Sequence, residues 1–560
     1  MDKSQSFLKN LMCGRVLENN IFPYPAISDE QSELIRMVIE SVDRFMENRF
    51  EEFRDFDVKG EQSAEFIQQI KEVGLFSLII PEEYEGLGLG NAGYSRIIQQ
   101  ITRYDGSSAL TVGAHSSIGM KGLLLYGNAE QKNKYLPKLA SGEMIAAFCL
   151  TEPSSGSDAA SIKTVADKNE AGDWVLNGEK IWITNGPMAG FFTVFARTDK
   201  ESNSMTAFIV DSAMAGVRSG PKEDKMGIRG SATSSIFFDN VVVPKENVLG
   251  EVGKGFKVAM AILNNGRTGL GGGCVGAMKR VINLSASQAN TRKQFGQKIS
   301  DFRLIKEKLA KMTVDCYVSE SLVNLVCFYI DNDFTDYSTE AAASKIFATE
   351  SLWSCANEGL QIAGGNGFMR EYPYEMIVRD SRINMIFEGT NEILRLFVAL
   401  GGIKKFGKEL KNVKPTNIKS LAPYLKRRFG MVSSISSHPE LADMAKFYVK
   451  SANELANSTE YLLKKHKKNI VTRQYQLRRL ADSVIYILSG LATLSRVSKT
   501  IEEKGAANSK HEIEILKIYT SDTRAKLYGI NKDIRNNHDE VKSSLADYIF
   551  SLEDFPWDVV

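Results

Sequence analysis

Ten residues, IFEGTNEILR (386–395), place one carboxylate, Glu388, between an aromatic side chain and a glycine, with small hydrogen-bonding residues just after it. Phe387 can help desolvate that carboxylate, which raises its proton affinity and makes it a better base. Gly389 lets backbone approach a ligand closely, and Thr390 and Asn391 can contact a cofactor. The chemistry this suits is removal of a proton from carbon, although the same residues also suit a plain loop-to-helix turn. A second polar constellation lies far upstream, FCLTEPSSGSD (148–158) followed by IWITNG (181–186). Small hydroxyl residues on tight turns present O–H and N–H groups to an extended cofactor, and a tryptophan can flank an aromatic ring system. Taken alone, Thr151 to Pro153 also read as a helix-capping turn, and Trp182 as a core residue.

The elements that must position these residues follow from periodicity. Residues 1–146 read as a mostly helical domain. Acidic residues at 29–33 open an apolar-periodic run through Leu34, Ile35, Val38, Ile39, Val42 and Phe45, as helix N-termini favour. The glycines of PEEYEGLGLG (81–90) do not follow a strand within a βαβ unit, so they read as a turn and not as a dinucleotide fingerprint. Residues 147–255 read as a β domain, with strand signals at 174–180, 191–196, 205–210 and 235–243. Residues 256–402 return to helix, with long runs at 313–326 and 341–353. A basic linker, 403–436, carries nine Lys and Arg between Lys404 and Arg428 against one acid, Glu409. Residues 437–560 read as a further helical unit, whose stripes Leu441–Leu462 and Leu477–Leu494 are packing faces. The chain is thus expected to be mainly α with an inserted β domain, and not a doubly wound sheet.

Bulk properties narrow the function. At 560 residues the chain exceeds one core. Lys+Arg 70 against Asp+Glu 68 gives +2, which argues against a nucleic-acid binder. The six scattered cysteines form no CxxC pair, so they read as buried thiols, with no metal site expected. The first residues make a poor secretory or organellar leader, and no apolar stretch reads as long enough to span a bilayer. Two locations are expected: a bacterial cytoplasm, including the inner membrane face, or the mitochondrial matrix and inner membrane after removal of a presequence.

Six motifs now fall into one order: TEPSSGSDAASI (151–162), WITNG (182–186), NNGR (264–267), RKQFG (292–296), QIAGGNGF (361–368) and IFEGTNEILR (386–395). In this order the chain resembles the acyl-CoA dehydrogenases over essentially its whole length. HPEL (438–441), LKKHKKNIV (463–471) and LRRLAD (477–482) resemble the extra C-terminal domain of the very-long-chain branch, a domain also found in the related complex I assembly-factor paralogue. The resemblance implies an N-terminal helical domain, a middle β-barrel-like domain, a C-terminal four-helix bundle and an extra helical domain. It implies FAD as cofactor and α,β-dehydrogenation of long or very-long-chain fatty acyl-CoA. Glu388 would take the α proton while the β hydrogen leaves as hydride to the flavin.

Carried over by position, the resemblance implies that Phe148, Thr151, Ser157, Trp182 and Thr184 meet the flavin. Arg292, Gln361, Gly364 and Gly365 would hold the FAD pyrophosphate from a neighbouring subunit, and Thr390, Asn391 and Glu392 would complete the cofactor site. Ser157, Asn264, Arg267 and Gly389 would contact the acyl-CoA. The small side chains of 108–119 leave the acyl pocket without a plug, and His115 among them reads as structural. The glycine run 271–273 has no functional reading, and close helix packing is expected there. Electron-transferring flavoprotein is the implied acceptor, a homodimer the implied assembly, and peripheral membrane association through the basic linker the implied location of work. The alternative the resemblance leaves open is a respiratory complex I assembly factor with residual dehydrogenase activity.

Overall fold

The computed structural model describes residues 2–199, 201–202, 204–414, 416, 418–428 and 435–558. Two compact units emerge, one of Tyr24–Leu394 and one that joins Met1–Pro23 to Arg395–Val560.

In the first unit, the helix Asp29–Met46 starts where the sequence places it. Ser28 caps it by accepting from the Gln31 amide at 3.3 Å, and Asp29 and Glu30 occupy the first turn. Its apolar stripe buries Ile35, Val42 and Phe45 against Phe53, Phe56 and Phe66. Among the described residues the β region forms one eight-stranded sheet: β1 (Ala146–Cys149), β2 (Val165–Lys168), β3 (Trp174–Thr184), β4 (Phe191–Arg197), β5 (Met205–Asp211), β6 (Val217–Lys222), β7 (Thr233–Val243) and β8 (Val248–Leu249). The order is β6-β7-β3-β2-β4-β5-β8, with β1 pairing parallel to β4. β3, β4, β5 and β7 match the strand signals because their apolar content is high. β2 (VADK) and β6 (VRSGPK) carry no apolar alternation, so pairing with β3 and β7 makes them strands.

Three long helices follow, Gly255–Thr291, Arg303–Asp331 and Ser338–Ala363. The first packs closely on the helix Asn91–Thr102, and its glycines are the reason. A Cβ at Gly272 would sit 2.7 Å from the Ser95 carbonyl oxygen, and one at Gly276 would sit 2.1 Å from that of Gln99. Gly272 and Gly276 therefore serve close backbone packing, while Gly271 and Gly273 face the Val323 and Thr102 side chains.

The second unit departs from expectation in three places. Residues 1–23 were grouped with the helices that follow them, but their contacts run to the C-terminal part of the chain. Phe7, Leu8 and Leu11 are buried, and Phe7–Leu11 packs on the helices Ala442–His466 and Gln474–Lys504. The expected linker is largely helical in its described part. The helix Asn391–Asn412 runs into it and Ile418–Arg428 forms another, while residues 429–434 lie outside the described residues. Some of its cations are used internally: Lys405 pairs with Glu409 at 3.4 Å, beside Arg15 at 2.6 Å from the same carboxylate, and Arg427 pairs with the buried Glu460. Burial works against the Glu460 charge, yet Lys464, Arg427 and Tyr424 hold its carboxyl down at about 2. Finally, among the described residues one helix, Gln474–Lys504, is long and apolar enough to cross a membrane, which the sequence reading did not anticipate. Some 83% of its apolar window is buried inside the protein, where it packs on Ala442–His466 and Lys510–Arg535.

Candidate active site

Glu388 sits between the short 3₁₀ turn Ile383–Met385 and the helix that begins at Asn391. Its φ is +54° and that of Gly389 is +93°. A non-glycine residue in the left-handed region is disfavoured and persists only where its surroundings fix it. The fixing groups are two cations. Arg267 Nε and Nη2 donate to the Glu388 carbonyl at 3.4 and 3.3 Å, and Lys345 Nζ donates to the Gly389 carbonyl at 3.0 Å. Arg267 is itself aimed by Asn264 Oδ1 at 2.6 Å.

The carboxylate is left alone by this arrangement. Glu388 Oε2 is buried without a hydrogen-bond partner among the described residues. Burial raises its carboxyl to about 7, and the nearby charges of Arg267 and Lys345 keep it from going higher. Gly266 makes room, since a Cβ there would lie 3.5 Å from Glu388 Oε1 and 2.9 Å from Ile118. Ile118 belongs to a π-helical turn, Ala114–Gly119, that continues the helix Gly106–Gly113; such turns often mark functional sites. His115 in this turn is fully buried, accepts from the Ala146 amide at 3.0 Å and packs on Phe76. Burial drives its pKa down to about 3, so it stays neutral, in keeping with a structural role.

On the sheet, β3 breaks register between Lys180 and Ile183, and Trp182 there has φ +57°. The irregularity turns the indole outward, 64% exposed. Beside it the Ile181 amide donates to the Thr151 carbonyl at 3.0 Å, which brings the two upstream motifs together. Among the described residues the hydroxyls of Thr151, Ser157 and Thr184 have no protein partner. Thr151, paired with Ile181, and Thr184, on the same strand as Trp182, put free hydroxyls near an open indole, a donor set that fits the polar edge and flat face of an aromatic cofactor. Phe148 is half-buried and packs edge-on against Phe195, so part of its ring serves the core.

Other expected residues lie elsewhere. Arg292 caps the C-terminal end of Gly255–Thr291, Gly364 caps that of Ser338–Ala363, and both are exposed, as are Gln361, Gly365 and Glu392. Asn391 departs from its expected cofactor contact. Its side chain turns inward, Oδ1 accepting from Lys345 at 2.8 Å and Nδ2 donating to Thr349 and Glu350 at 3.0 and 3.1 Å.

Three residues at the site escaped the sequence reading. Lys345 is a lone cation inside the apolar run 341–348, and Lys180 is a lone cation at an inward position of β3; both are fully buried. A single lysine interrupting a buried stripe was the available signal. Tyr94 is buried against Gly269, near Glu388 and Ser117, and nothing in its local sequence sets it apart.

The chain matches the acyl-CoA dehydrogenase N-terminal domain over 32–143, the middle domain over 147–241 and the C-terminal domain over 253–402. It also matches the ACAD9/ACADV C-terminal domain over 439–554. It is 44% identical over 533 residues to a human mitochondrial very long-chain specific acyl-CoA dehydrogenase, covering 91% of this chain and 81% of that protein. It is 41% identical to a probable acyl-CoA dehydrogenase of Bacillus subtilis over 82% of this chain and 80% of that protein. In structure it is similar to a Bacillus anthracis acyl-CoA dehydrogenase solved with FAD, with a TM-score of 0.85, 34% identity, and coverage of 98% of this chain and 96% of that one. With four domain models matched in order and relatives above 40% identity over most of its length, this chain belongs to the acyl-CoA dehydrogenase family.

Proposed function

We propose that this protein is an FAD-dependent dehydrogenase of long and very-long-chain fatty acyl-CoA, working in fatty acid oxidation with Glu388 as its base. The observation that carries the assignment of the base is that Glu388 has a buried, unpartnered carboxylate oxygen and a carboxyl pushed up to about 7. A carboxylate in water is too weak a base for a carbon acid. Burial strengthens it, and a pKa near neutrality leaves a useful fraction ionised. Arg267 and Lys345 spend their donors on the carbonyls of the turn, so they offset the charge without occupying the oxygens that must take the proton.

FAD would be held by Thr151, Ser157, Trp182 and Thr184 on the sheet side and by Thr390 and Glu392 beyond the base. Arg292, Gln361, Gly364 and Gly365, exposed here, are suited to reach the FAD of a second copy in a homodimer. When bound, the flavin supplies the hydride acceptor for the β carbon. The side chains of 108–119 are small enough to admit a long acyl chain. Arg267, Asn264, Ser157 and Gly389 are the groups we assign to the thioester arm. Electron-transferring flavoprotein is the acceptor this reading implies, and the exposed Trp182 offers a surface for the exchange. The setting is a bacterial cytoplasm or a mitochondrial matrix.

A long-chain acyl-CoA added anaerobically to the flavin-loaded protein should bleach its visible band, and the extent should hold or grow as the chain lengthens from short to long. Persistence of the band with every acyl-CoA would reject the enzyme in favour of a scaffold. Membrane docking through the exposed cations around Ile418–Arg428 is a second part of the proposal, each lysine or arginine near an anionic surface contributing about 1 kcal/mol. In low salt the protein should float with anionic liposomes and release at high salt; recovery in the soluble fraction throughout would refute docking.

A further inference from the structure

We propose that Lys345 is the positioning residue for the base: through Gly389 and Asn391 it fixes the 388–390 turn and sets the charge that Glu388 faces. The inference rests on the assignment of Glu388 as the base. Three observations on the structure support it.

The first is geometric. Lys345 is fully buried on the helix Ser338–Ala363, yet its ammonium reaches out of that helix to the Gly389 carbonyl at 3.0 Å and Asn391 Oδ1 at 2.8 Å. A buried ammonium is expensive unless its donors are satisfied, so this contact is built. The second is the network behind it. Asn391 Nδ2 is held by Thr349 Oγ1 and Glu350 Oε1, both on the same helix as Lys345. The start of the helix after Glu388 is therefore clamped to one rigid element by three polar bonds. The third is the left-handed conformation of Glu388, which for a non-glycine residue lacks a reason to persist without such clamps. Arg267 holds the Glu388 carbonyl and Lys345 that of Gly389, so neither peptide plane is free to rotate.

The electrostatic part follows from the same placement. Lys345 faces Glu388 on the turn, Cys274 and Arg267 on Gly255–Thr291, and Glu350 on its own helix. Burial lowers its pKa to about 8, and Glu388 opposes that fall. In return its charge favours the ionised form of Glu388. Loss of the ammonium should therefore move the Glu388 titration upward, and with it the acid limb of the pH profile.

The test uses the flavin-loaded protein with Lys345→Gln, which keeps a donor but no charge, and Lys345→Met, which keeps neither. Folding is checked by flavin content and melting temperature, and if Lys345→Met fails to fold, the Gln variant carries the test. Two readouts are independent of fold stability. One is the protonated-carboxyl infrared band of Glu388, assigned as the band lost in Glu388→Gln. The other is the pH profile of kcat/KM. Lys345→Gln should shift both midpoints up by about one pH unit, which leaves a roughly fivefold smaller ionised fraction at pH 7 and a tenfold smaller one well below the midpoint, with kcat falling and KM nearly constant. Lys345→Met should lose a further tenfold in kcat that raising the pH does not restore. Folded variants with unmoved midpoints and wild-type kcat would overturn the proposal. Full activity of Glu388→Gln would instead overturn the assignment of the base, so the two failures are distinguishable.

Discussion

Glu388→Gln should give a folded protein that takes up flavin and binds acyl-CoA yet turns over about 10²–10⁴-fold more slowly, the usual span for losing a positioned general base. The amide is isosteric, and Oε2 has no hydrogen-bond partner among the described residues, so the fold has little to lose. Single-turnover flavin reduction measures the chemical step directly. The unmodified protein carries a sign that can be checked as well. Because burial raises the Glu388 carboxyl to about 7, the active base is the deprotonated form, and kcat/KM should rise with pH through about 7. The folded state also holds this proton more tightly than the unfolded chain, so this group's contribution to stability falls as pH rises from the ordinary carboxylate range to about 7. A rate that is flat from pH 5 to 9 would contradict the assignment.

The largest expected effect on stability comes from Lys180→Met. Lys180 and Glu152 form an ion pair at 2.7 Å whose side chains are 0% and 3% exposed. Burial opposes the Glu152 charge. Lys180, with the amides of Lys163 and Thr164, outweighs it and keeps the carboxyl below its ordinary range. Removing the ammonium leaves a buried carboxylate without its counterion, at a cost of about 3–5 kcal/mol. The damage should reach the cofactor site, because Lys180 also donates to the Leu150 carbonyl, next to Thr151. Flavin content should drop together with melting temperature. The deficit should narrow as pH falls toward 5, where the stranded carboxylate takes up a proton, and Glu152→Gln added to Lys180→Met should recover part of it. The intact pair behaves oppositely: Glu152 has a depressed pKa, so its contribution is present above the ordinary carboxylate range and fades on acidification. Wild-type stability for Lys180→Met, by chemical denaturation, would show that the pair is dispensable.

Local pattern alone determined a good deal of this protein. Ser28 with two acids after it fixes a helix start, and runs such as FFTVFAR make buried strands, because these signals act within a few residues and need no partner. IFEGTNEILR and TEPSSGSD stand out in the same way, because the base and the ring-facing turn proposed for them would each require particular side chains in a row. Tertiary structure decided the rest. β2 and β6 are strands only because β3 and β7 supply their hydrogen bonds, and residues 1–23 join the C-terminal unit because Phe7, Leu8 and Leu11 find their burial there. Asn391 looked like a cofactor ligand and instead serves Lys345, forty-six residues away in sequence. Lys180 and Lys345 were illegible for the same physical reason. A lysine's worth is set by the carboxylate or carbonyl that meets it once water is excluded, and only the folded chain brings those groups together.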